Sequence, residues 1–249
     1  MDRRILILSA LLLVGCTSNG PSELELVLDK TNFESREKVL ADSGDTYKLI
    51  AFYKQEIVRN DTTDLRIKLV ESYLEAQDIE SALFYLQQMD KVEGYQEQIA
   101  FLSAKAYYLQ GEVDLAEKYA LDALALQWVF PEVENLLGLI YAAKQQYPLA
   151  RQYFNMARGH HYNDIVIKNN LAVVDLLEQN YQQAIFRLEA LFNNGLADNQ
   201  VRANLALAYA KLDQFEQVHH VLVGEYSTAE IQQIYLALRS TKVAEQAKL

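Results

Sequence analysis

The chain has 249 residues, 51% of them apolar and 23% charged, with 9 Gly and 3 Pro. That is the balance of a packed globular protein and excludes a collagen-like or low-complexity chain. A formal net charge of −11, with no basic block, argues against phosphate-contacting nucleic-acid binding and against affinity for bare anionic lipid.

Residues 1–16 read MDRRILILSALLLVGC. Arg3 and Arg4 make a basic start, and residues 5–14 are apolar apart from Ser9. The run is too short to span a bilayer comfortably as a mature helix and fits a secretory signal. Leu13-Val14-Gly15-Cys16 resembles a bacterial lipobox. The resemblance implies that residues 1–15 are a signal peptide that is removed and that Cys16 is lipidated. Several acyl chains on one Cys anchor stably where a single chain is marginal. Cys16 is the only Cys, so no disulfide framework is available and stability must come from packing. Thr17 stands where lipoproteins kept in the inner membrane usually carry Asp. The resemblance therefore implies the periplasmic face of the outer membrane of a Gram-negative bacterium. Residues 16–30 are expected to be the lipidated Cys and a tether, with 17–22 (TSNGPS) flexible.

Thr31-Asn32-Phe33-Glu34 fits a capping box and predicts a helix from about Asn32 to Leu40, broken at 41–45 by a segment containing Gly44. Residues 47–59 predict a second helix, with Leu49, Ile50, Tyr53 and Ile57 on one face. Residues 31–62 thus form a degenerate N-terminal pair, as terminal repeats do when they cap a stack.

From residue 63 the chain is periodic. Tyr73, Tyr107, Tyr141, Asp175 and Tyr209 are each 34 apart. Ala82, Ala116, Ala150, Ala184 and Val218 form a second row, and Leu86, Ala120, Phe154, Leu188 and Leu222 a third. A fourth, Ile79, Val113, Tyr147, Tyr181 and Phe215, falls at the turns. With Leu137, Gly138, Tyr141, Ala150, Phe154 and Ala157 at helical spacing, residues 131–162 resemble a tetratricopeptide (TPR) repeat. The expected fold is all-α: a TPR α-solenoid, a right-handed superhelix of antiparallel helix pairs, with five 34-residue units over 63–226. Two short helices cannot bury their apolar faces alone, so pairs stack. The Ala row marks close crossings that a larger side chain would overpack, and the Tyr row fills the gap between helices. The units begin near Thr63, Glu97, Pro131, Ile165 and Asn199; Pro131 and Pro148 suit helix starts, and Asp78, Glu112 and Asn180 suit N-caps. Asp175, the odd member of its row, is expected to be either water-exposed through a local gap or bonded to a neighbour. Residues 227–240 predict a capping helix, with Ile231, Ile234, Tyr235 and Leu238 on a face, and 241–249 a frayed tail.

No P-loop, dinucleotide-binding turn, nucleophile elbow or zinc-protease motif is present. His160, His161 and Asp164 are the candidate metal ligands, but adjacent His side chains on a helix diverge by about 100°. No metal site, catalytic residue, small-molecule substrate or cofactor is expected beyond the covalent lipid on Cys16; a metal-dependent enzyme is the distant alternative. A protein partner is expected instead, bound along the first helix of each unit on the face away from the packing rows. The TPR resemblance places Ile67, Phe101, Lys105, Tyr108, Asn135, Leu139, Asn169, Val173, Leu176 and Leu207 there, with Glu71, Leu74, Ala142, Ala203 and Ala210 beside them. Lys105 is the only basic residue of the set, unlike the clamps that hold a C-terminal carboxylate. An apolar groove carrying the Asn135 and Asn169 amides one repeat apart suits an apolar or amphipathic segment.

Residues 49–86, LIAFYKQEIVRNDTTDLRIKLVESYLEAQDIESALFYL, are similar to TadD, the TPR lipoprotein family of tight-adherence (Tad/Flp) pilus assembly. The later repeats are generic. The resemblance implies a non-enzymatic, pilotin-like assembly factor for the secretin of a type IVb-like pilus. A type IVa pilus TPR pilotin, or a lipoprotein scaffold for murein hydrolases, is the alternative.

Overall fold

The computed structural model describes residues 23–89 and 92–241. Cys16, the signal and the C-terminal tail beyond residue 241 lie outside them. The described residues form thirteen helices: α1 (Glu23–Asp42), α2 (Thr46–Arg59), α3 (Thr63–Glu75), α4 (Ile79–Met89), α5 (Gln96–Gln110), α6 (Val113–Leu126), α7 (Pro131–Ala143), α8 (Tyr147–Gly159), α9 (Asp164–Leu177), α10 (Tyr181–Asn193), α11 (Asn199–Lys211), α12 (Phe215–Leu222) and α13 (Thr228–Ser240). Each helix packs on its successor, and the first helices of neighbouring units also touch (α3 on α5, α5 on α7, α7 on α9, α9 on α11). This is a TPR α-solenoid.

The rows explain the stacking. Ala82, Ala116, Ala150, Ala184 and Val218 have no exposed surface, because helix pairs cross there at a distance that admits little beyond a methyl group. Gly138 carries the same logic further. A Cβ added there would lie 2.4 Å from the ring of Phe154, so the aromatic fills the space that the glycine vacates. Tyr73, Tyr107 and Tyr141 stack on Tyr85, Tyr119 and Tyr153, with centroids 5.8, 5.3 and 5.3 Å apart. This second tyrosine row lies twelve residues after the first.

Every unit also uses the same turn. The N–H of Asp78, Glu112, Gln146, Asn180 and Gln214 donates to the carbonyl of the Tyr-row residue five positions back, at 2.8–3.0 Å. The preceding residue is left-handed in each: Gln77, Gly111, Gln145, Gln179 and Asp213. This is a Schellman-type closure, and only the second unit places the favoured glycine there. Asp78 caps α4 through Ser81 N–H. Glu112 and Asn180 occupy N-cap positions with no side-chain bond, which corrects the expectation that all three cap. Pro131 and Pro148 both fall in a first turn.

The N-terminal pair differs from expectation. α1 begins at Glu23, so Thr31 lies inside the helix and not at its N-terminus, and residues 23–30 continue the helix instead of forming a tether. The run ELELVLDK offers the chain no breaker, and helix propensity carries it through. α1 is tied down by Phe33 against Phe52, centroids 5.1 Å apart. At the other end Ser227 and Glu230 form a complete capping box. Ile231 is fully buried, and Ile234, Tyr235 and Leu238 pack into the core of α11 and α12, so α13 covers the last pair. Among the described residues no helix is long and apolar enough to cross a membrane.

Candidate functional site

The junctions between units are held by polar locks that repeat with inverted charge. At the second-to-third junction, Glu117 accepts from the Tyr141 hydroxyl (2.8 Å) and from Lys144 Nζ (2.5 Å), which also reaches Asp114 (2.7 Å). The Lys144 bond, with that of Tyr141, holds the Glu117 carboxyl below its ordinary range; burial, then the bond to Glu117, raises the Tyr141 hydroxyl. One repeat later the polarity reverses. Arg151 takes the place of Glu117, Glu178 that of Lys144, and Asp175 that of Tyr141. Asp175 Oδ1 accepts from Arg151 Nη2 and Oδ2 from Arg187 Nε, both at 2.7 Å, and Arg151 also binds Glu178. Arg187 stands in the second tyrosine row, so the fourth unit replaces a Tyr–Tyr stack by an Asp–Arg pair. Asp175 is thus bonded to neighbours, with its side chain 2% exposed.

A second set of junction bonds uses amides. Asn170 Nδ2 donates to Asn135 Oδ1, and Asn204 Nδ2 to Asn169 Oδ1, each at 2.9 Å. These tie α7 to α9 and α9 to α11. Asn135 and Asn169, expected to face a ligand, are 8% and 6% exposed and join units instead, which corrects that expectation.

The remaining groove candidates separate into two groups. Ile67, Val173, Leu176 and Leu207 are buried, as are Leu74, Ala142 and Ala210. They are packing residues rather than groove floor: Ile67 and Leu74 belong to the core of the N-terminal helices, Ala142 to that of the middle units, and Leu176, Leu207 and Ala210 to that of the last units, which α13 closes. Phe101, Lys105, Tyr108 and Leu139 are only half-buried, with Glu71 beside them. They lie on α3, α5 and α7, and this is where the face stays open. Among the described residues, Glu71, Lys105 and Tyr108 carry no hydrogen bond or ion pair, unlike the charged groups of the locks. Burial pushes the Tyr108 hydroxyl up. It also pushes the Glu71 carboxyl up, against a partial offset from Lys105. The open stretch therefore offers apolar area from Phe101 and Leu139 and three polar groups whose bonding capacity is unspent.

The histidine candidates are placed differently. His160 Nδ1 lies 2.8 Å from both oxygens of the fully buried Glu134, and Asp164 pairs with Arg158 and Lys168. His161 takes a left-handed turn conformation, φ 65°. Among the described residues, no group of three or more His, Cys, Asp or Glu is placed to hold a metal ion.

Compared by sequence, the chain matches no family model and no curated protein. Compared by structure, it is similar to the Pseudomonas aeruginosa pilF protein, with a TM-score of 0.62 and 14% identity over 83% of this chain and 96% of that one. It is similar also to a tetratricopeptide repeat protein from Parabacteroides merdae, with a TM-score of 0.62 and 16% identity over 87% and 90% of the two chains. Fold and neighbours together define a TPR α-solenoid.

Proposed function

We propose that this protein is a non-enzymatic, lipid-anchored TPR scaffold that binds a segment of a partner protein across the open stretch of α3, α5 and α7. In this reading the anchor is Cys16, the location is the periplasmic face of the outer membrane, and the partner is a pilus secretin of the tight-adherence type, whose assembly the protein assists. The observation that carries the binding surface is a contrast between equivalent positions along the inner face. Val173, Leu176 and Leu207 are covered, whereas Phe101, Lys105, Tyr108 and Leu139 remain partly accessible. The pilus reading rests on the similarity of residues 49–86 to that lipoprotein family, and the anchor on the lipobox.

Two variants test it. Cys16→Ser should leave the solenoid folded and remove it from the outer-membrane fraction; normal fractionation would sink the anchor. Leu139→Glu should keep the melting temperature and abolish co-purification of the secretin; undiminished co-purification would place the binding surface elsewhere.

A further inference from the structure

At the N-terminal end of the open stretch, the α1–α2 turn and one face of α3 enclose a cavity of about 340 Å³, lined by Leu49, Tyr53, Lys68, Glu71, Ser72 and Glu75 among others. Its polar groups are unequally engaged. Lys68 Nζ and the Tyr53 hydroxyl both donate to Glu37 Oε1, each at 2.6 Å, and the Ser72 hydroxyl donates to the Lys68 carbonyl at 2.9 Å. One carboxylate thus absorbs the cavity's cation and its phenol. Glu71 and Glu75 remain. They lie four residues apart on α3, one above the other, where like charges repel. Neither has a hydrogen bond or an ion pair among the described residues; Glu71 is half-buried and Glu75 exposed. A half-buried carboxylate with no hydrogen-bonded partner is costly, Lys105 and Lys68 act on it only through space, and a cation brought from outside would relieve more of that cost. Burial, the largest cause, and the neighbouring Glu75 push the Glu71 carboxyl up, and Lys105 and Lys68 offset only part of that.

We infer that this cavity receives a Lys or Arg side chain of the bound segment, whose apolar neighbours then run over Phe101 and Leu139. The walls of Leu49 and Tyr53 suit the aliphatic stem of such a side chain, and the two carboxylates suit its head. Two carboxylates do not make a metal site of the kind that three or more ligands would. The net charge of −11 favours a basic segment as well. The inference rests on the reading of the open stretch as the binding surface, and the experiment separates the two.

A displayed library of random dodecapeptides is selected on the lipid-free full chain and on the Glu71→Gln/Glu75→Gln variant, with Leu139→Glu as a third target. The expected result is peptides that share one basic position beside apolar ones on the wild type, without basic enrichment on the double variant. By fluorescence polarisation, a selected peptide should bind the double variant roughly tenfold more weakly, and should lose as much when its basic residue is replaced by citrulline or norleucine. Its affinity for the wild type should fall with salt. The peptide replacement needs no protein variant, so it decides even if Glu71→Gln/Glu75→Gln fails to fold. Selected peptides that are purely apolar and lost on Leu139→Glu would overturn the cation inference and leave the groove standing. Basic peptides that bind all three targets alike would overturn both, as would the absence of any enrichment.

Discussion

The Asp175 lock makes the sharpest stability prediction. Replacing Asp175 by Tyr restores the residue found in the other four units, and by repeat consensus alone it should stabilise. The structure predicts the opposite. The carboxylate is 2% exposed and bridges two guanidinium groups that are themselves 26% and 27% exposed. Removing one partner of a buried pair costs about 3–5 kcal/mol. Arg151 retains Glu178 and both guanidinium groups reach some water, so the loss should sit near the lower bound, about 3 kcal/mol. For a chain of this size that is a drop of roughly 6–12 °C in melting temperature. The companion Asp175→Tyr/Arg187→Tyr rebuilds the stack seen for Tyr141 and Tyr153, at 5.3 Å, and should recover most of the loss. The assay is a thermal and urea melt of the two variants beside wild type. If Asp175→Tyr alone melts at or above wild type, the ion bridge does not hold this junction and the reasoning fails.

Three further predictions follow from the same geometry. Gly138→Ala, Ala116→Leu and Ala150→Leu should each destabilise by about 1–3 kcal/mol through overpacking, and unchanged melts would mean the close crossings are not where the rows place them. The Asn135→Ala/Asn169→Ala variant should lose stability because it leaves the Asn170 and Asn204 amides without acceptors, at about 1–3 kcal/mol each; an unaltered melting curve would return these amides to the list of ligand contacts. The lock at Glu117 gives a pH dependence. Its folded pKa lies below the ordinary glutamate range, so its contribution is present above that range and is lost as pH falls through the lowered value. Glu117→Gln should remove that part of the acid limb of stability, and an identical acid limb in both proteins would contradict the lock.

The solenoid was legible because its cause is local and repeated: a small residue is required at each crossing, and a 34-residue period records the requirement five times, four times as Ala and once as Val218. Gly138 and Phe154 could be recognised as repeat positions, though not as partners. Asp175 stood out as an anomaly, but its partners lie 24 residues before it and 12 after. The signal that would have found Arg187 is the row Tyr85, Tyr119 and Tyr153, which the same arithmetic produces. The inner face was harder to read. A helical period tells which side of α9 or α11 turns away from its own partner, but not how near the next unit comes. Val173, Leu176 and Leu207 were therefore read as floor when they are interior. Phe101, Lys105, Tyr108 and Leu139 lie on the part of the face that stays open. The length of α1 was missed because Thr31-x-x-Glu34 satisfies a local rule that the surrounding helix overrides.

The central claim is that a secretin segment lies across the open stretch and nowhere else on the solenoid. Its most direct test is site-specific photo-crosslinking in intact envelopes, with a photoreactive amino acid in place of Leu139 and, as controls, of the exposed Phe186 and Phe84 on the second helices of their units. Position 139 should give the secretin as the main adduct, and positions 84 and 186 should not. Secretin adducts from 84 or 186 with none from 139 would contradict the account.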